Sequence, residues 1–173
     1  MAAPATARIS LRDYQLALSE RLQSAGAGAR LPSRLGLQVG GAAWLVELQD
    51  AGEVIPVPPI SLVPLARPWF KGVANVRGNL YSVTDFAAFL GGASARVTGE
   101  ARLLLLNERF RSGAALLVGR SLGLRALDGL TSQPASDRVP WVRAQYSDGD
   151  GRIWKELDVA ALLQSAAFLE ASS

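Results

Sequence analysis

From residue 35 to residue 157 the apolar residues come in short runs, most of them set off by glycine, proline or an Asp-Gly pair. LGLQVG, AAWLVEL, GVANV, LYSVTD, RLLLL, GAALLVG and SLGLRAL follow one another in this way, and VRAQYSDGDGRIWKEL folds back on itself at Asp-Gly. Segments this short fall below the roughly 8–20 residues of an ordinary helix and suit strands joined by tight turns. Leucine stands where β-branched residues are expected, so LLLL taken alone also fits a helix; its length and glycine punctuation favour a strand. Two blocks of short strands flank a short helix, FAAFL, which points to a pair of small β barrels.

Only two stretches carry a helical period. In residues 9–25, ISLRDYQLALSERLQSA, Leu11, Tyr14, Leu18 and Leu22 recur at helical spacing behind a capping Ser10. GAGAR and Pro32 then break that helix. Residues 158–168 form a second helix with Asp158 as its cap. The resulting division is an N-terminal helical extension and linker over 1–32, then a domain over 33–173. Its first barrel is expected at about 35–92, its second at about 100–157, and its closing helix at 158–168.

The run EVIPVPPISLVPLARP holds five prolines from Pro56 to Pro68 and reads as an extended surface connection. Beyond it, Gly72 to Val76 predicts a strand, Gly78-Asn79 a two-residue turn, and LYSVTD the returning strand. Asp85 is placed to cap FAAFL and Gly91 to close it. Arg77 is thereby pinned to a hairpin end. Its guanidinium either braces backbone carbonyls across the hairpin or faces a partner's acidic group.

The chain has no histidine and no cysteine. That rules out catalytic triads, Cys-His pairs, disulfides and the usual zinc sites. Net charge is only +3, with arginines scattered rather than striped, which argues against nucleic acid. Asp148, Asp150 and Gly151 sit at calcium-loop offsets, but Tyr146 and Leu157 occupy the two decisive ligand positions, so a hairpin turn is the better reading. Glu47, Asp50 and Glu53 cluster near one strand end and read as a solvated edge. Trp44 and Trp154 sit in core-like strands. No cofactor or metal is expected. Without a signal-type apolar segment or a spanning run, the expectation is a cytoplasmic protein with no membrane insertion.

GVANVRGNLYSVTDF strongly resembles the core motif of CheW-like domains: a strand, an Arg-Gly turn, a second strand, and an Asp that starts the central helix. The approach WLVELQDAGEVIPVPPISLVPLARPWFKG fits the same family, and the likeness covers roughly residues 35–168. SLRDYQ–ERLQ, VIPVPP and the closing WKELD look closest to the branch serving type IV pilus twitching motility, with flagellar-type chemotaxis as the alternative. The resemblance implies an all-β fold with short helices, built as two five-stranded barrels. It also implies a non-catalytic adaptor between the signalling tip of a methyl-accepting chemoreceptor and the regulatory domain of a CheA-like histidine kinase, recruited to receptor arrays. Matched position by position, the receptor-facing residues are Arg77 and Gly78 at the turn, Gly72 at the strand start, and the acidic-apolar pair Glu53 and Val54. Val118-Gly119 departs from the family's frequent Val-Asp, so the resemblance carries no kinase contact over to that strand end. A nucleic-acid-binding barrel is the alternative from another class; it requires exposed tryptophans and strongly salt-dependent binding.

Overall fold

The computed structural model describes residues 34–136 and 138–171, together with Gln15 and Leu18. The expected helix over 9–25 and its linker lie outside the described residues, apart from Gln15 and Leu18, which are both helical.

Glycine turns set the element boundaries. β1 (Arg34–Val39) and β2 (Ala42–Glu47) form the hairpin expected at Gly40-Gly41. β3 (Ala51–Pro56) and the two-residue β4 (Ile60–Ser61) come next. β5 (Phe70–Val76) and β6 (Asn79–Asp85) lead into α1 (Phe86–Phe89). The second half contributes β7 (Arg102–Leu106), β8 (Ala114–Val118), β9 (Arg120–Arg125), β10 (Thr131–Gln133), β11 (Val142–Ser147) and β12 (Ile153–Leu157). The expected closing helix is broken at Ser165 into α2 (Val159–Gln164) and α3 (Ala166–Leu169). Asp158 does cap it, accepting from the Ala161 amide at 3.0 Å.

The all-β class with short helices and two barrel-like halves holds, each half being a curled, unclosed six-stranded sheet where five strands were expected. One sheet runs β10-β11-β12-β2-β1-β9 and the other β3-β7-β8-β6-β5-β4. Sequence blocks and sheets do not coincide. β1 and β2 join the late strands, while β7 and β8 join the early ones, through the parallel pairings β12–β2 and β6–β8. A cut near residue 92 therefore does not separate the sheets.

The surface connection expected at EVIPVPPISLVPLARP is corrected too. Glu53 to Pro56 belong to β3, which pairs with β7 alone, and Ile60-Ser61 pair with β5 alone. Both are edge strands, where proline's missing donor breaks no ladder.

Each sheet curls until its two edges share a core. Ile55 of β3 and Ile60 of β4 come from opposite edges, yet both pack on Leu103, Leu105, Ala115 and Leu117. The other curl encloses Ala43, Leu45 and Trp154. A third cluster fills the space between the sheets: Leu37, Trp44 and Val46 meet Leu104, Leu116 and Val118, sealed by Phe86 and Leu162 from the helices. This explains the leucine run. Leu103 and Leu105 point into the curl while Leu104 and Leu106 point between the sheets, so both faces of β7 are apolar. Each such buried leucine stabilises the fold by about 2 kcal/mol relative to exposure.

Candidate functional site

The β5–β6 hairpin pairs Val76 with Asn79, so its two central residues are Arg77 and Gly78. The turn lies one residue earlier than the Gly78-Asn79 reading. Both residues have positive φ, 51° and 86°, as a type I′ turn requires to match strand twist. Asn75 supports the turn by accepting the Gly78 amide at 2.9 Å. An arginine in the left-handed region is uncommon, and here it stands at the hairpin tip with 67% of its side chain exposed.

Glu53 meets it from β3. The β3–β7 register slips between Ala51 and Glu53, making Gly52 the extra residue of a bulge. A Cβ on Gly52 would lie 2.9 Å from the Leu105 carbonyl oxygen, which explains why glycine stands there. Glu53 engages Arg77 as a fork: Nη1 donates to Oε1 at 3.3 Å and Nη2 donates to Oε2. That hydrogen bond, with the carboxylate's charge, raises the guanidinium's pKa. In the sheet order, β3 and β5 are four steps apart, roughly 19 Å if the sheet were flat at ~4.8 Å per strand. Contact between them is a direct consequence of the curl.

Beneath the pair lies an open cleft of about 340 Å³, walled by Tyr81, Leu105, Asn107 and Glu108. Sequence reasoning passed over these four. Tyr81 alone carried a signal, through its alternation with Val83. Asn107 and Glu108 reach the cleft because Asn107 caps a short 3₁₀ turn after β7, accepting the Arg109 amide at 2.9 Å. Arg109 in turn pairs with the buried Asp50.

The five expected residues divide. Arg77, Gly78 and Glu53 share the rim. Val54 packs toward the core between the sheets and presents no rim surface. Gly72 sits where β4 crosses β5: its φ is 128°, and a Cβ there would be 2.0 Å from the Ser61 carbonyl oxygen. Its role at that spot is close backbone approach. Gly119 likewise lies against β1, its amide donating to the Gln38 carbonyl at 2.9 Å.

The other motifs resolve structurally. The Asp148 carboxylate accepts from the Trp154 indole at 3.0 Å and from the Arg152 and Asp150 amides. These bonds, the indole's first, hold its pKa below the usual carboxylate range and shape a hairpin loop. Glu47, Asp50 and Glu53 each face an arginine: Arg143, Arg109 and Arg77. They are not arranged as an acid/base pair. All four tryptophans are at least half-buried, and Trp69 and Trp141 join Phe89 and Phe168 in one aromatic cluster. No helix among the described residues is long and apolar enough to cross a membrane.

A family profile described as the CheW-like domain matches residues 34–167. This chain belongs to the CheW-like domain family. CheW-like chains are non-catalytic scaffolds. Protein PilI of Pseudomonas aeruginosa is 32% identical over 93 residues, which are 54% of this chain and 52% of PilI. The alignment thus spans about half the length of that curated relative. The scaffolding protein TtCheW from Thermoanaerobacter tengcongensis shares the CheW-like fold with a TM-score of 0.67. That likeness, at 15% identity, covers 81% of this chain and 97% of TtCheW.

Proposed function

We propose that this CheW-like chain is an adaptor that couples a methyl-accepting chemoreceptor to a CheA-like histidine kinase in the control of type IV pilus twitching motility. The observation that carries the reading is the rim: an exposed, forked Arg77–Glu53 pair, fixed by a type I′ turn on one side and a bulge on the other. Two separately rigidified strands present one charged feature above a cleft walled mainly by polar groups, which suits recognition of a helical tip bearing acidic and polar side chains. The similarity to PilI favours the pilus pathway over the flagellar type. The adaptor works in the cytoplasm and reaches receptor arrays through its partners. Burial of the tryptophans leaves a nucleic-acid reading without a stacking surface.

The test is titration of the purified protein against two fragments by calorimetry: a CheA-like regulatory domain and a pilus chemoreceptor signalling tip. Saturable binding to both is expected, with Arg77→Glu weakening the receptor arm at least about tenfold and sparing the kinase arm. Binding to neither fragment, or equal loss on both arms, would overturn the assignment. Binding of a flagellar-type receptor tip in preference to the pilus one would move the protein to the other pathway.

A further inference from the structure

The recognition rim is backed by a second ion pair. Asp50 lies in the turn between β2 and β3, just before Glu53's strand begins, and is 2% exposed. Its carboxylate Oδ1 accepts from Nη2 of Arg109, whose side chain is half-exposed. The Arg109 guanidinium also lies over the Phe110 ring, 4.6 Å from its centroid. The backbone repeats the link. The Asn107 amide donates to the Asp50 carbonyl at 2.9 Å, and the Asp50 amide donates to the Glu47 carbonyl at 2.9 Å. The turn after β2 is thereby fastened to the turn after β7, beside the cleft that Asn107 and Glu108 wall.

This fastening sits where the direction of Glu53 is decided. β3 is an edge strand paired with β7 alone, with Ala51 opposite Leu106, Glu53 opposite Leu105, and Gly52 as the extra residue. A bulge bends its strand and re-aims the side chains beside it. It keeps its place only while the strand is pinned on both sides. After the bulge, Val54 and Ile55 are pinned by the cores they enter. Before it the strand ends at Ala51, and the chain is held by the Asp50 carbonyl bond and the Asp50–Arg109 pair. Without that hold the extra residue can shift toward the turn, bringing Gly52 opposite Leu106. The bend next to Glu53 is then lost.

We infer that Asp50 and Arg109 are positioning residues for the rim: they keep the bulge at Gly52 and thereby aim Glu53 at Arg77. Both act through Glu53. The use of that aim in recognition rests on the adaptor reading, whereas the aim itself is a property of this chain alone.

The test reads Arg77 directly. Where the fork to Glu53 holds, rotation about the Nε–Cζ bond is slowed and Nη1 and Nη2 give separate nitrogen signals; a free guanidinium gives one averaged signal. Carbon-detected spectra of the ¹³C,¹⁵N-labelled protein, with Arg77→Lys for assignment, show two signals in the parent and one in Glu53→Ala. Asp50→Asn and Arg109→Gln give the averaged signal as well, while Arg109→Lys, which retains the charge, keeps the parent's pattern. Arg109→Gln alters a half-exposed residue and carries the test should Asp50→Asn not fold. Glu156→Ala, a change at a buried position of the other sheet, lowers stability and leaves both Arg77 signals in place, which separates positioning from stability. In the receptor titration Asp50→Asn weakens tip binding about fivefold and adds nothing once Glu53 is alanine. A parent with one averaged Arg77 signal, an Arg109→Gln protein with the parent's two, or additive losses in the double variant overturn the proposal. If the tip does not bind the parent, the adaptor assignment falls, and the Arg77 signals still decide whether Asp50 and Arg109 aim Glu53.

Discussion

Arg77–Glu53 and Arg34–Glu156 are the same chemical pair in opposite surroundings. The first lies on the outer rim, with 67% and 44% of the side chains exposed. The second is enclosed in the other sheet, at 14% and 2%. Arg34 Nε donates to Glu156 at 2.5 Å and its Nη2 lies 3.3 Å from Glu47. Tyr146 donates to the remaining Glu156 oxygen at 3.1 Å. Removing a member of such an enclosed set strands the others away from water, whereas rim charges simply rehydrate. The enclosed pair therefore belongs to the stability of the fold, and the rim pair is free to be used for recognition.

The strongest way to break this comparison is Glu156→Ala. It should lower unfolding stability by about 3 kcal/mol, measured as a fall in the urea midpoint. A loss no greater than that of a rim variant would refute the contrast. Gly72→Ala should cost about 2 kcal/mol in the same assay, because the added Cβ meets the Ser61 carbonyl at a φ that L-residues avoid. That result would show the rim strand to be held by backbone fit rather than by its ion pair.

A smaller effect is expected at alkaline pH. Burial first, then the Glu156 charge and the hydrogen bond to it, raise the Tyr146 pKa above 10.0. A raised folded-state value leaves stability intact below the unfolded pKa and lets it fall as pH rises through the folded one. Melting temperatures taken between about pH 9 and pH 11 should drop more steeply in the parent than in Tyr146→Phe. The smallest effect is expected from Arg77→Glu, whose melting temperature should match the parent's while receptor binding is lost. A large drop in melting temperature would return Arg77 to the architectural reading.

Local chemistry was legible in the sequence and long-range pairing was not. Asp85 and Asp158 announce their helices because a cap is written in the residue itself: Asp85 accepts the Ala88 amide at 3.2 Å. The Gly40-Gly41 hairpin was readable for the same reason. At Arg77 the rule that glycine takes the first central position misplaced the turn by one, since arginine itself adopts the left-handed conformation. Val54 followed Glu53 by family likeness, but strand alternation sends their side chains to opposite sides. Glu53 meets Arg77 only through the curl of a sheet ordered β3-β7-β8-β6-β5, and no local pattern encodes that.

The parallel pairing of β12 with β2 also governs the order in which the chain can mature. β12 leaves the ribosome after every other strand of its sheet, yet it sits in the middle of that sheet, between β11 and β2. The β1–β2 hairpin must wait, with Leu45 and Trp44 uncovered on both faces, until Trp154 and Leu157 have been made. Non-local contacts of this kind slow folding and lengthen exposure to aggregation. The rim sheet has the same kind of wait but a shorter one, since its own late central strand, β8, pairs in parallel with β6 and ends at Val118. In a nascent chain, the strands that carry the Arg77–Glu53 rim can thus all have been made while the sheet that carries the buried ion pair still lacks β12.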